Sequence, residues 1–373
     1  MSNSNEHGNK PTVVVAGASG IVGRAALERF AGRGGWDVIG ISRRKPVAMP
    51  GGARHLALDL LDREASGRAL GDIKADYLLF AALNERDDDI RAGWTDPAQI
   101  AKNEAMFVNT LDPLSKTGAL RHVGIVHGGK AYGVHIPGAK FPIPLYEDQP
   151  RYPADNFYHR QEDYVRRVQP GSPWNWTILR ACHTYGIAVG GNMDAFLVLV
   201  VFAALCREAG QELPMPEGHS AITEPTDADL IAEALEWSLS EPRARNEIFN
   251  INNGDLCADY DIFPIVAREV GVKLGAPRRY KFNAEFDKLA HLWPGMVRKY
   301  GLQVPEDLGT LLGNSRQVAD KWSRDWPPEN LLRSGVEATI KIRQAGFHSC
   351  MDSRVMLAKY VRRMQELKMV PQA

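Results

Sequence analysis

A charge excess of either sign is absent from this chain: across 373 residues, 45 Lys and Arg balance 45 Asp and Glu. A balanced surface offers no global attraction to nucleic acid or to an anionic membrane. Cysteine is scarce. Cys182, Cys206, Cys257 and Cys350 form no CxxC pair and no close framework. In a chain this long they read as reduced thiols of a cytoplasmic protein, not as a disulfide scaffold. Long apolar runs are missing too. The most apolar stretch, AFLVLVVFAALC at 195–206, has twelve residues. A bilayer needs roughly 20, so a buried helix is expected and no membrane partner. The polar first ten residues show no apolar core of a secretory signal. The ten histidines lack HxxxH or HxH spacing with acidic support, which argues against a metal site.

What is present is an alternation. TVVVAGASGIVGRAALERF reads as a buried strand, a glycine turn and a helix. Further strands are expected at WDVIGISRR, ARHLALDLLD, ADYLLFAALN, HVGIVHGGKAYG and WTILRACHTYG, with helices between most of them, including 98–112 and 158–168. Strands alternating with helices imply an α/β fold, a Rossmann-type doubly wound parallel sheet. After Gly186 the pattern becomes mainly helical. The expected organisation is a nucleotide-binding domain over 10–190 and a smaller, mostly helical substrate-binding domain over 191–373. A strand near 247–251 is expected to return to the first sheet.

The glycine turn has GxxGxxG spacing: Gly17, Gly20 and Gly23, with Ser19, Ile21 and Val22 between them. Glycine permits the tight turn and close backbone approach to a pyrophosphate, and the following helix aims its N–H groups at the phosphates. An NAD site usually carries Asp or Glu after the second strand. Here Ser42, Arg43 and Arg44 stand there, and two guanidinium groups suit a 2′-phosphate, so NADPH is favoured. Asp59 and Leu60, after strand three, are placed to meet the adenine. Ala81 and Ala82, after strand four, leave room for the cofactor. The backbone around His183 and Thr184 is the candidate partner of the carboxamide.

Reductases of the short-chain type keep a Tyr and a Lys four residues apart on one helix. DNFYHRQEDYV, 155–165, supplies Tyr158 but has Glu162 where the lysine belongs. Lys130, in the loop after strand five, lies where it reaches the same centre from another side. With these residues the sequence resembles the progesterone 5β-reductase and iridoid synthase family, an atypical branch of the extended short-chain dehydrogenases. NFYHRQED matches that family's NFYYxxED motif, and HGGKAYG matches its displaced-lysine segment. GASGIVG, SRR, TDADLIAEALEW and NEIFNINNGD extend the likeness over nearly the whole chain.

The resemblance implies an NADPH-dependent reductase of activated C=C bonds acting on a small apolar enone or enal, with Tyr158 and Lys130 catalytic. It leaves the donor of the α-proton unassigned. A homodimer is expected by analogy alone. Two positions depart from the family: His159 replaces the second tyrosine, and Ala181 stands where extended members have proline. His159 is expected to pack rather than face the pocket, because it points about 100° away from Tyr158 on a helix. His127 is placed either to contact ligand or to pack. Tyr132 and Tyr185 are expected as wall residues, Glu162 and Asp163 as solvated or capping acids. Trp322 and Trp326 either wall the substrate pocket or fill the core. Competing functions are a carbonyl reductase using the same pair, a non-catalytic NADPH-binding regulator, and a sugar-nucleotide epimerase, against which Glu162 speaks.

Overall fold

Four β-branched residues in succession favour an extended backbone, and Thr12–Ala16 forms β1 of a seven-stranded, all-parallel sheet. The computed structural model describes residues 10–218, 222–323 and 336–373. The other strands are β2 (Asp37–Ser42), β3 (Ala53–Ala57), β4 (Tyr77–Phe80), β5 (His122–His127), β6 (Asn175–Ala181) and Glu247–Ile251. Parallel neighbours need long crossovers. These contain α1 (Ile21–Arg33), α2 (Arg63–Leu70), α3 (Ile90–Gly93), α4 (Pro97–Lys116) and α5 (Phe157–Val168). Beyond β6 come α6 (Ala195–Glu208) and α7 (Ala228–Ser238).

Across the sheet the order is Glu247–Ile251, β6, β5, β4, β1, β2, β3. The winding therefore reverses between β1 and β4, and ligands of such sheets bind outside the strand ends at that point. Successive side chains of a strand face opposite ways. Val13 and Val15 pack with Leu27 and Phe30 of α1 and Ile231 and Leu235 of α7. Val14 packs with Phe107 and Leu111 of α4 and Val165 of α5 on the other face. The returning strand pairs in register with β6, Glu247 opposite Thr177 through Ile251 opposite Ala181, as the sequence led us to expect.

A second core surrounds α6, whose residues Ala195–Cys206 are all buried. Phe202 meets Phe282 and Phe286 there, with ring centroids 4.9 and 6.0 Å apart. Trp322 is fully enclosed and its indole N–H donates to the Ala195 carbonyl at 2.9 Å, so it is core and not a pocket wall. Trp326 lies outside the described residues. Tyr185 packs in the same core against Phe196. All four cysteines are free thiols. No helix among the described residues is long and apolar enough to cross a membrane.

The turn after β1 comes close to the end of β4 at Gly17. Its φ is +89°, and a Cβ there would lie 2.7 Å from the Ala81 carbonyl. Gly17→Ala is expected to cost about 1–3 kcal/mol in strain. Guanidinium unfolding midpoints measure it, and an unchanged midpoint would show that the turn relaxes around the methyl group.

Candidate active site

β5 ends at His127, and the chain enters a single 3₁₀ turn, Gly129–Tyr132, that carries Lys130. A Cβ at Gly129 would fall 2.2 Å from the Cys182 sulfur, so only glycine lets this turn press against the segment after β6. Asn156 joins the turn to the next helix. Its Oδ1 accepts the Tyr158 N–H at 2.8 Å, capping α5. Its Nδ2 donates to the Lys130 carbonyl at 2.9 Å. One residue past Tyr158, the His159 Nε2–H donates to the Ala131 carbonyl at 2.8 Å. His159 is therefore buried packing, as expected, and helps hold the Lys130 turn on α5.

The Tyr158 ring stacks on His127, centroids 4.3 Å apart at 25°, and meets Trp94 edge-on at 5.5 Å. His127 is buried and its Nε2 bonds the Gln161 amide oxygen at 3.1 Å, so this imidazole is a floor beneath the tyrosine. Burial, reinforced by Glu85 and Cys182 nearby, pushes the Tyr158 hydroxyl up from its ordinary value. It stays protonated at neutral pH and acts as a neutral donor. The Lys130 amine lies 3.6 Å from the centre of the Trp94 ring and 3.2 Å from the Met193 sulfur. Burial brings it down to about 8, against the pull of Glu85. The pair shares one rim, but the amine is held by Trp94 and Met193 and not by the Tyr158 hydroxyl.

Glu162, where a lysine would stand in ordinary relatives, corrects an expectation. It is buried, not solvated, and receives Arg151 at 2.9 Å, Arg166 at 3.0 Å and Arg180 at 3.3 Å. Burial alone would raise this carboxyl, but the surrounding arginines outweigh it and hold it below its ordinary value. Asp163 is exposed and pairs with Arg151. Tyr132 is buried, its hydroxyl bonded to Asn250 and its ring 4.7 Å from the Arg180 guanidinium.

The residues read as cofactor contacts gather along the strand ends. Gly17 and Ala18 donate N–H bonds to the Ile41 carbonyl, which fixes the turn. Gly20 caps α1 with no side chain of its own, so the first N–H groups of the helix, at Ile21, Val22 and Gly23, stay open. Ser19 lies in the same turn. The Ser42 hydroxyl bonds the Arg44 carbonyl at 2.6 Å and the His55 ring at 3.0 Å. Arg43 and Arg44 are exposed, and Arg44 also reaches the Gly190 carbonyl at 3.3 Å. Ala81 and Ala82 pass beside Gly17. Asp59 is exposed and accepts the Leu61 N–H, whereas the Leu60 side chain is buried in the core. His183 takes a left-handed φ of +43° and its buried Nδ1 has no partner; Thr184 follows it in a short bridge to Thr226. An open helix terminus, a turn that excludes a Cβ and two exposed arginines fit a dinucleotide.

Sequence reasoning passed over Glu85, Trp94 and Asn192. The Trp94 indole N–H donates to Glu85 Oε1 at 3.1 Å, and Asn192 bonds the same carboxyl. Glu85 hides in the polar run NERDDD, which carries no signal of inward orientation. Behind the Lys130 turn lies a second group of acids. Glu337 takes the Cys182 thiol on Oε1 at 3.2 Å, and its N–H donates to Glu224 at 2.6 Å. Burial raises Glu224 to about 7 and Glu337 to about 8.

The doubly wound sheet and the glycine turn after β1 are those of an extended short-chain dehydrogenase/reductase, an oxidoreductase class. The NAD dependent epimerase/dehydratase family profile matches residues 13–252, and the chain belongs to that family. The (S)-8-oxocitronellyl enol synthase of Catharanthus roseus is 26% identical, over 97% of this chain and 93% of that one. The 3-oxo-Delta(4,5)-steroid 5-beta-reductase of Arabidopsis thaliana is 26% identical over 96% and 92%. These relatives bear out the resemblance carried by the Tyr158 and Lys130 segments. Among solved structures, UDP-glucose 4-epimerase of Thermotoga maritima superposes with a TM-score of 0.65 at 15% identity, covering 95% of this chain and 99% of that one. The Thermus thermophilus UDP-glucose 4-epimerase complex with NAD gives 0.64 at 16%, covering 95% and 99%. In that Thermus neighbour the same fold holds NAD.

Glu337 makes stability depend on pH. Its carboxyl keeps a proton to about 8 when folded but only to about 4.5 when unfolded. The folded state is favoured most below 4.5, and that advantage is lost as pH rises toward 8. Thermal midpoints should fall over this window in the native chain and fall less in Glu337→Gln; parallel curves would contradict the assignment.

Proposed function

We propose that the chain is an NADPH-dependent reductase of activated C=C bonds in small apolar enones and enals. The observation that supports this reading is one indole, Trp94, that meets the Tyr158 ring edge-on and carries the Lys130 amine over its face. The turn Gly17–Gly23 and the open end of α1 would hold the pyrophosphate. Ser42, Arg43 and Arg44 would hold the 2′-phosphate, Asp59 and the Leu60 backbone the adenine. The backbone at His183 and Thr184 would hold the carboxamide, with Ala81 and Ala82 leaving space. When bound, the nicotinamide supplies hydride to the substrate β-carbon. Tyr158 donates its hydroxyl proton in a hydrogen bond to the carbonyl oxygen and stabilises the charge that grows there. Lys130 adds positive charge on the same rim. Trp94 and the partly exposed Leu83 and Met193 offer the apolar wall that such a substrate needs. Free thiols and balanced charge favour the cytoplasm, and the fold favours a homodimer by analogy.

Incubation with NADPH and cyclohexenone is expected to give cyclohexanone. An allylic alcohol would move the activity to C=O reduction, and no NADPH oxidation with enones, enals or ketones would leave a non-catalytic binder. Tyr158→Phe and Lys130→Met should each lower kcat by about 10²–10⁴-fold; full activity in both would remove the site assignment. Replacing Arg43 or Arg44 with Ala should raise KM for NADPH by about 10–100-fold and leave NADH little changed. Equal loss for both cofactors would sink the phosphate role.

A further inference from the structure

Glu85 follows β4 in a run of charged residues, and its neighbours are spent elsewhere. Arg86 pairs with Asp88 and Asp96, and Asp89 caps α3. Asp87 reaches Asn314. Glu85 turns the other way and is half-buried against Trp94. That indole is a hub for the site. Its N–H holds the Glu85 carboxyl at 3.1 Å, its face carries the Lys130 amine at 3.6 Å, and its edge meets the Tyr158 ring at 5.5 Å. Asn192, next to Met193, bonds the same carboxyl from the helical side. Burial raises the acid above its ordinary range, with Lys130 and the two donors opposing. A carboxyl aimed by two donors, at the rim that holds the reacting groups, has no task in the fold core.

We propose that Glu85 is the acid that protonates the substrate α-carbon after hydride addition. This rests on the enone-reductase reading and extends it to the product. Once hydride has reached the β-carbon, the substrate is an enolate whose oxygen is bonded to Tyr158. Tyr158 is thereby committed to the oxygen, and the carbon needs a different donor. The enolate π pair forms a C–H bond with the Glu85 proton, the Glu85 O–H bond breaks to leave a carboxylate, and the C–O bond returns to C=O. Solvent then reprotonates Glu85. The sum is one hydride and one proton added across the C=C bond. Relatives of this chain are named enol synthases. With an acid at the rim, this chain releases a saturated carbonyl, with the α-hydrogen delivered to one face.

The test is reduction of 2-methylcyclohex-2-enone by NADPH in D2O, with the product resolved on a chiral column and the label read by NMR. The native chain is expected to place deuterium on one face of the α-carbon. Glu85→Gln should turn over more slowly and give both enantiomers of the product in near-equal amounts. A racemic α-centre from the native chain overturns the proposal, as does an unchanged α-face preference in Glu85→Gln. Failure of the native chain to oxidise NADPH with any enone overturns the reductase reading as well, so the two failures are told apart. NADPH fluorescence titration reports whether Glu85→Gln keeps its cofactor cleft. Should it not, Trp94→Phe, which withdraws the N–H that aims the carboxyl, takes its place. A partial loss of α-face preference is then expected, and an undiminished preference overturns the proposal.

Discussion

The amide of Asn156 makes two hydrogen bonds in opposite directions, and the site depends on both. Its oxygen starts α5 by accepting the Tyr158 N–H; its nitrogen donates to the carbonyl of Lys130. The residue that sets the first turn of the tyrosine helix thus also sets the height of the lysine loop. His159 repeats the tie one residue on, at Ala131. In ordinary short-chain reductases the helix itself spaces the tyrosine and lysine. Here a side-chain bridge between two loops does so, and β5 and β6 set the floor on which those loops rest.

Burial is the other shared cause. It drives Tyr158 up and Lys130 down, so both groups move toward their neutral forms. A phenol kept protonated can donate to a carbonyl oxygen. The charges the fold retains lie one layer deeper. Glu162 is enclosed by Arg151, Arg166 and Arg180, and the last of these also covers the ring of Tyr132. An ion cluster of this kind costs much if one member is removed. It explains how α5 keeps the charged Glu162 inside the molecule.

The sheet was legible because Thr12–Val15 and its counterparts follow elementary rules of branching and alternation, and the glycine turn follows from φ and close approach. Lys130 was legible because the strand-end rule puts the loop after β5 over the crevice. Glu162 was misread since acids on a helix usually face water, and no local pattern announces three arginines drawn from a loop, the same helix and β6. Trp322 could not be assigned before packing was known: a tryptophan near an apolar helix suits a wall or a core equally. Glu85 was missed for a similar reason. Composition treats NERDDD as one solvated run, while the fold turns a single member inward onto an indole nine residues away.

Consider last the strand Glu247–Ile251, which comes back to β6 after the chain has already built α6. The seven-stranded sheet is therefore not built from a contiguous stretch that a gene could donate or lose by one cut. A chain severed after Gly190 would keep β1 through β6 but strip β6 of its neighbour and α1 of the α7 cover. The bared edge of β6 would then be a template for pairing with other chains. Synthesis on the ribosome meets the same difficulty, since the sheet stays open on that side until about sixty-five further residues have emerged.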